Sequence, residues 1–313
     1  MRLLNPDNRL LTLARQGGRL PAVPTAIAVT FVILVVAGFA GQIPAHMVLL
    51  RPDGTPRFTN EIQSILQPIV LNVTVCAFFY LGLWAYLRLW SKRPFWTLGF
   101  ERKHALRRTI RGVVIAELMM ATTAGLSIIP GVSFAPGLVQ TMGLVAFGIR
   151  FLSLLSYFVQ GPGEEVLFRG WLMPVIGARY GTLIGVFVSS LLFSLAHAGS
   201  RSITWLGFLN LFLFGVFASV YALAEGGIWG IGAWHAFWNW TMGDFLGFAT
   251  DGSPHIGLLT SIMATSPNII SGGAFGLEGG LACTTVFLIA CAIIVIRSRR
   301  SDEGPAAESI NLV

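Results

Sequence analysis

Gly161-Pro162-Gly163-Glu164-Glu165-Val166-Leu167-Phe168-Arg169 lies inside an apolar run that extends over roughly residues 142–177. Two carboxylates and a guanidinium in such a run are costly in hydrocarbon and call for partners or a task. Glu165 and Arg169 are four apart, so on a helix they share one face and can pair. Glu164 points about 100° away from that pair and is free for other work. The Gly-Pro-Gly interruption predicts one long helix kinked just before the Glu pair.

The rest of the chain is consistent with a bilayer setting. Of its 313 residues, 54% are hydrophobic and 11% charged, and the mean hydropathy is +0.73. A soluble domain carries about a quarter charged residues, so the composition excludes an ordinary soluble enzyme and leaves no room for a large soluble domain. Spans of about 20 apolar residues are predicted at roughly 22–43, 64–90, 112–130, 142–177, 181–199, 204–225, 229–248 and 279–296. The fold class is therefore all-α, a polytopic transmembrane bundle of about eight spans with the site inside it. The domain reading is a basic N-terminus over 1–21, one membrane domain over 22–296 with its motif core at 150–245, and a polar, disordered tail over 297–313.

Charge separates this reading from a nine-span alternative. Arg2, Arg9, Arg15 and Arg19 precede the first span, a basic block from Arg88 to Arg111 follows the second, and Arg297, Arg299 and Arg300 follow the last. With eight spans all three groups face the cytoplasm, as does each terminus. The net charge of +7 is thus read as topology and contact with anionic headgroups, not as nucleic-acid binding. The block over 88–111, interleaved with Trp90, Phe95, Trp96 and Phe100, predicts a cytoplasmic interfacial helix. The first apolar run is span-length and begins after about twenty residues, so a cleaved signal peptide is not expected. Cys76, Cys283 and Cys291 lie in apolar segments and suggest packing, with no disulfide framework.

Two further stretches carry polar groups into spans: Phe193-Ser194-Leu195-Ala196-His197 and His235-Ala236-Phe237-Trp238-Asn239. In each, the first and last residues share a helix face. Glu164 precedes the Tyr180-Gly181 connection by about as many residues as separate it from His197. An antiparallel hairpin then brings the two side chains to one depth, ~25 Å from the turn. A carboxylate can take a proton from water and turn it into a nucleophile. Arg169 would keep Glu165 ionised, a histidine can position the water, and His235 with Asn239 can donate to an oxyanion. Phe193 packs beneath His197. One Glu and two His also form a zinc ligand set, so Glu164, His197 and His235 remain metal candidates, although HExxH is absent. Asp244, Glu225, Asn210 and Arg150 are read as helix-end or interhelical groups, with Asp244 the foremost exception. His46, His104 and His255 are read as incidental.

The three stretches match the pattern EExxxR, FxxxH and HxxxN in order, and the chain resembles the CPBP family of CAAX proteases and bacteriocin-processing enzymes, also called Abi. The resemblance covers about residues 150–245. It implies an all-helical intramembrane endopeptidase acting on a membrane-embedded or lipidated peptide in a bacterial plasma membrane. By motif position it makes Glu164 the base, Glu165 its partner and Arg169 the counter-charge. His197 would join Glu164 in activating water, and His235 with Asn239 would stabilise the oxyanion. A zinc cofactor is left open. The competing readings are a proton-coupled carrier and a non-enzymatic immunity protein that binds a peptide.

Overall fold

The computed structural model describes residues 2–17, 19–58, 60–128, 132–264 and 269–300. The polar tail expected from Ser301 onward lies outside the described residues. Twelve helices are named among the described residues: α1 (Arg9–Arg15), α2 (Val23–Ala40), α3 (Gln42–Leu49), α4 (Asn60–Tyr86), α5 (Ala105–Ile128), α6 (Leu138–Met142), α7 (Val145–Glu165), α8 (Met173–Tyr180), α9 (Thr182–Ala196), α10 (Trp205–Glu225), α11 (Trp229–Asn239) and α12 (Leu281–Arg300). The protein is an all-α membrane bundle. A short antiparallel pair, β1 (Val132–Pro136) and β2 (Thr260–Ala264), joins two connections with Phe134 opposite Ile262. The helical expectation over 22–296 does not contain this pair.

By length and composition, five helical runs among the described residues suffice to cross a membrane: Val23–Leu49, Ile65–Ser91, Ala105–Ile128, Trp205–Glu225 and Leu281–Arg300. α9 is apolar but shorter. α7 carries Arg150, Glu164 and Glu165, and α11 is short, so these passages depend on burial within the bundle and not on uniform hydropathy.

The chain stays α-helical through Pro162 to Glu165, then widens into a π-helical stretch over Val166–Leu172 before α8. The irregularity thus follows the Glu pair instead of preceding it. Every residue of the π stretch is buried, and π segments occur often at functional sites. α8 turns back into α9 at Gly181, whose φ of 95° lies in the region that favours glycine.

α11 packs against both α5 and α7, while α9 packs against α8 and α10. At the α7–α11 crossing the backbones touch: a Cβ on Gly161 would stand 2.6 Å from the Ala236 nitrogen. Around α11 the core is aromatic, with Trp234, Trp238, Phe214, Phe217 and Phe287 in mutual contact. Such rings bury ~150–250 Å² each and fill the space between helices.

The interfacial helix predicted over 88–111 does not form. α4 ends in a π-helical turn over Leu87–Ser91, Lys92 adopts a left-handed conformation, and a 3₁₀ turn spans Phe95–Leu98. Arg107, Arg108 and Arg111 belong to α5. The helix stops at Lys92-Arg93-Pro94, where the proline disfavours helix for the residue before it, and Arg93 turns inward and is buried, with Nη1 donating to the Leu13 carbonyl of α1 at 3.2 Å.

Candidate active site

Glu164 and Glu165 occupy the last turn of α7, His197 caps the C-terminus of α9, and His235 and Asn239 lie on α11. Helical periodicity separates the two carboxylates, and packing sends each to a different task.

Glu165 and Arg169 are both fully buried, with Arg169 Nη1 3.1 Å from Glu165 Oε1. The same oxygen lies 2.8 Å from His235 Nδ1. Arg169 also stands over the Phe193 ring at 4.4 Å, so its charge meets both a carboxylate and an aromatic face. A buried pair of this kind requires close geometry to offset desolvation, and the i,i+4 spacing provides it. An ionised Glu165 can only accept, so His235 donates through Nδ1–H and directs Nε2 into the site.

His197 is set the same way by a different group. Its Nδ1 is 2.8 Å from the Phe193 carbonyl, and a carbonyl only accepts, so Nε2 again faces inward. The Phe193 ring lies 4.6 Å from the His197 ring and stacks on Phe214 at 5.1 Å, giving the imidazole a rigid apolar floor.

Glu164 Oε2 lies 3.9 Å from the Nε2 of His197 and 3.9 Å from the Nε2 of His235. It is buried and has no hydrogen-bond partner among the described residues. Three groups able to accept protons therefore converge on one point from three helices. The spacing exceeds direct hydrogen bonding and suits a molecule held between them.

The other oxygen, Oε1, accepts from Gln160 Nε2, and Gln160 Oε1 in turn accepts from Asn239 Nδ2 at 3.2 Å. Asn239 thus reaches Glu164 through Gln160, a residue that the sequence reading did not single out. The signal was available in principle, because Gln160 lies one turn before Glu164. An amide at that spacing looks like any interhelical polar contact until its partner is known.

The donor set, two imidazoles and a carboxylate with Glu165 behind one ring, is of a kind that binds zinc. Its spacing in this structure is wider than a bound zinc requires. Tetrahedral zinc with bonds of ~2.0–2.1 Å holds neighbouring ligands about 3.4 Å apart, less than the 3.9 Å found between Glu164 and each ring. Among the described residues no group of three or more His, Cys, Asp or Glu is arranged to hold a metal ion.

The remaining polar residues settle elsewhere. Asp244 pairs with Arg150 at 2.9 Å and lies 3.1 Å from His255 Nδ1, so the part-buried His255 is a hydrogen-bond partner of a buried Arg–Asp pair and not incidental. Asn210 Nδ2 donates to the carbonyls of Glu278 and Gly280, which ties α10 to the start of α12. Glu225 receives Arg111 at 2.7 Å and the Gly230 amide at 2.9 Å, a helix-end role. Glu117 on α5 accepts from Thr241 at 2.6 Å. The three cysteines are free.

Residues 146–241 match the family model described as Type II CAAX prenyl endopeptidase Rce1-like. This is the stretch that holds all three motifs, and the match bears out the resemblance read from them. It supports an intramembrane endopeptidase in general. The chain is also 38% identical over 80 residues to an "Uncharacterized 24.3 kDa protein" of Escherichia coli, an alignment covering 25% of this chain and 36% of that relative. The chain thus spans about a third of the length of the curated relative it matches.

Proposed function

We propose that the protein hydrolyses a peptide bond of a membrane-embedded or lipidated peptide, with Glu164 as general base and no metal. The observation that supports this reading most directly is the buried, unpartnered Oε2 of Glu164, equidistant from two imidazole Nε2 atoms. A water held there donates one proton to Glu164 and is oriented by His197. Its oxygen attacks the carbonyl carbon of the substrate as that proton moves to Glu164.

The tetrahedral oxyanion needs donors. His235 serves as one when it carries a proton at Nε2, drawn from a solvent water before attack and returned after the C–N bond breaks, and Glu165, bonded to Nδ1, stabilises that imidazolium. Asn239 offers its second amide hydrogen. The proton on Glu164 then passes to the leaving nitrogen as the C–N bond breaks, which leaves a free amine and a new carboxylic acid; the acid gives its proton to the freed Glu164 carboxylate and from there to water. Gln160 holds the Oε1 side of the carboxylate so that Oε2 keeps its aim.

Glu164→Ala and His197→Ala, assayed in purified protein on a lipidated membrane peptide, are expected to lose roughly 10²–10⁴-fold in cleavage with unchanged helix content. Prior chelator treatment is expected to leave the wild-type rate intact. If both variants cleave like wild type, the hydrolase reading fails. Loss of solute flux in proteoliposomes without any peptidase activity would favour the carrier. A chelator-sensitive rate restored by zinc would overturn the metal-free mechanism.

A further inference from the structure

A second group of polar atoms lies in the bundle, away from the active site, at the cytoplasmic end assigned to α4. Arg93 is 5% exposed. Its Nη1 is occupied by the Leu13 carbonyl, but Nε and Nη2 are buried with no partner among the described residues. Ser91 Oγ, Tyr86 Oη and Trp171 Nε1 are buried too and complete no hydrogen bond among the described residues, with the Tyr86 and Ser91 hydroxyls near enough to interact with each other. These groups are neighbours: the Arg93 guanidinium lies 5.7 Å from the Trp171 ring, and Tyr86 meets that ring edge-on at 5.0 Å.

The group has donors and a positive charge but no carboxylate. Arg93 takes part in none of the ion pairs among the described residues, which use Arg9, Arg111, Arg150 and Arg169. Between Asp7 and Glu101 the sequence holds two acidic residues, Asp53 and Glu61, both at or before the opposite end of α4. Burial pushes the Arg93 guanidinium down to about 10. An uncompensated buried charge is costly, and an anion would offset it.

An apolar cavity of about 510 Å³ adjoins this group. It runs between α2 and α4, walled by Thr25, Val29 and Ile33 on one side and Phe78, Gly82 and Tyr86 on the other. Tyr86 belongs both to the cavity wall and to the polar group. At the mouth are Leu89 and Trp90, with Arg19 over the Trp90 ring at 5.7 Å and Lys92 exposed beside them. A basic and aromatic rim at the membrane surface, a buried cation and an apolar slot along the helices together describe an amphiphile with an anionic head.

We infer that the α2–α4 groove binds one anionic phospholipid, with an acyl chain in the cavity and the phosphate held by Arg93, Ser91 and Tyr86 beneath the Arg19–Trp90 rim. This site uses none of the residues assigned to peptide hydrolysis. The phosphate takes the unpartnered Nε and Nη2 of Arg93 as a forked pair, and the Ser91 and Tyr86 hydroxyls turn to donate to its other oxygens.

The test is native mass spectrometry of the delipidated full-length protein in detergent. It is titrated with dioleoyl phosphatidylglycerol, with phosphate-free dioleoylglycerol and with inorganic phosphate. Phosphatidylglycerol is expected to bind with one equivalent at least ~10-fold more tightly than dioleoylglycerol. Arg93→Gln is expected to remove that preference, and Ala85→Phe, which fills the groove, to weaken both glycerolipids. Because Arg93 also holds α1, Ser91→Ala is a second probe of the head site that leaves this contact intact. It is expected to lower phosphatidylglycerol affinity alone. Equal binding of the two glycerolipids, or wild-type affinity in both Arg93→Gln and Ser91→Ala, would overturn the proposal. So would displacement of the lipid by millimolar inorganic phosphate, which would leave a free-anion site, or by a lipidated peptide, which would assign the groove to substrate.

Discussion

Glu165 and Arg169 illustrate how one buried pair can serve both folding and chemistry. Both side chains are fully buried, and Glu165 also holds His235 Nδ1. Arg169→Met leaves the buried Glu165 carboxylate without its guanidinium, held by His235, and is expected to cost ~3–5 kcal/mol, seen as a drop in Tm. Glu165→Gln added to Arg169→Met removes both charges and is expected to restore most of that stability. Cleavage is expected to stay lost in the double variant, because a neutral amide no longer stabilises a protonated His235. A double variant that regains full activity would reduce Glu165 to a structural counter-ion.

At the scale of elements, the site depends on how closely α7 and α11 approach. Gly161 permits that contact, since an added Cβ would fall 2.6 Å from one backbone atom of α11 and 2.9 Å from another. Gly148, on the same helix, has no heavy atom within 4 Å of the corresponding position. Gly161→Val is expected to lower stability by about 1–3 kcal/mol through overpacking and cleavage by roughly 10²-fold through displacement of His235. Gly148→Val is expected to change neither. Equal effects of the two substitutions on rate would show that the α7–α11 contact does not set the site geometry. The π-helical stretch acts in the same region: it re-aims α8 without disturbing the Glu165–Arg169 pair, and no local rule predicts where such a turn falls.

Across the whole molecule, the basic groups divide the surface. Arg102, Lys103 and Arg107 precede or begin α5, and Arg297, Arg299 and Arg300 end α12. The connection that carries β2 has few charges. Single cysteines replacing Lys103, Ser253 and Arg299, in a background lacking Cys76, Cys283 and Cys291, report this arrangement. An impermeant maleimide is expected to label Ser253→Cys in intact cells and the other two only after lysis. Labelling of all three from one side would refute the orientation read from charge.

Much of this architecture is local and was legible in the residues. Composition determines that the chain lives in a bilayer, because so apolar a surface has no other stable solvent. The 3.6-residue period determines that Glu165 faces Arg169 and that His235 shares a face with Asn239, because both members of each pair lie on one helix. The count of residues about the Tyr180-Gly181 turn brings Glu164 and His197 to one depth, and they meet at 3.9 Å. Tertiary structure alone decided the rest: that Gln160 bridges Glu164 and Asn239, that His255 joins Asp244, and that Arg93 turns inward onto the Leu13 carbonyl. Those outcomes depend on which helix faces are pressed together across distant segments. That choice is made by the packing of the whole core, and no single window of sequence contains it.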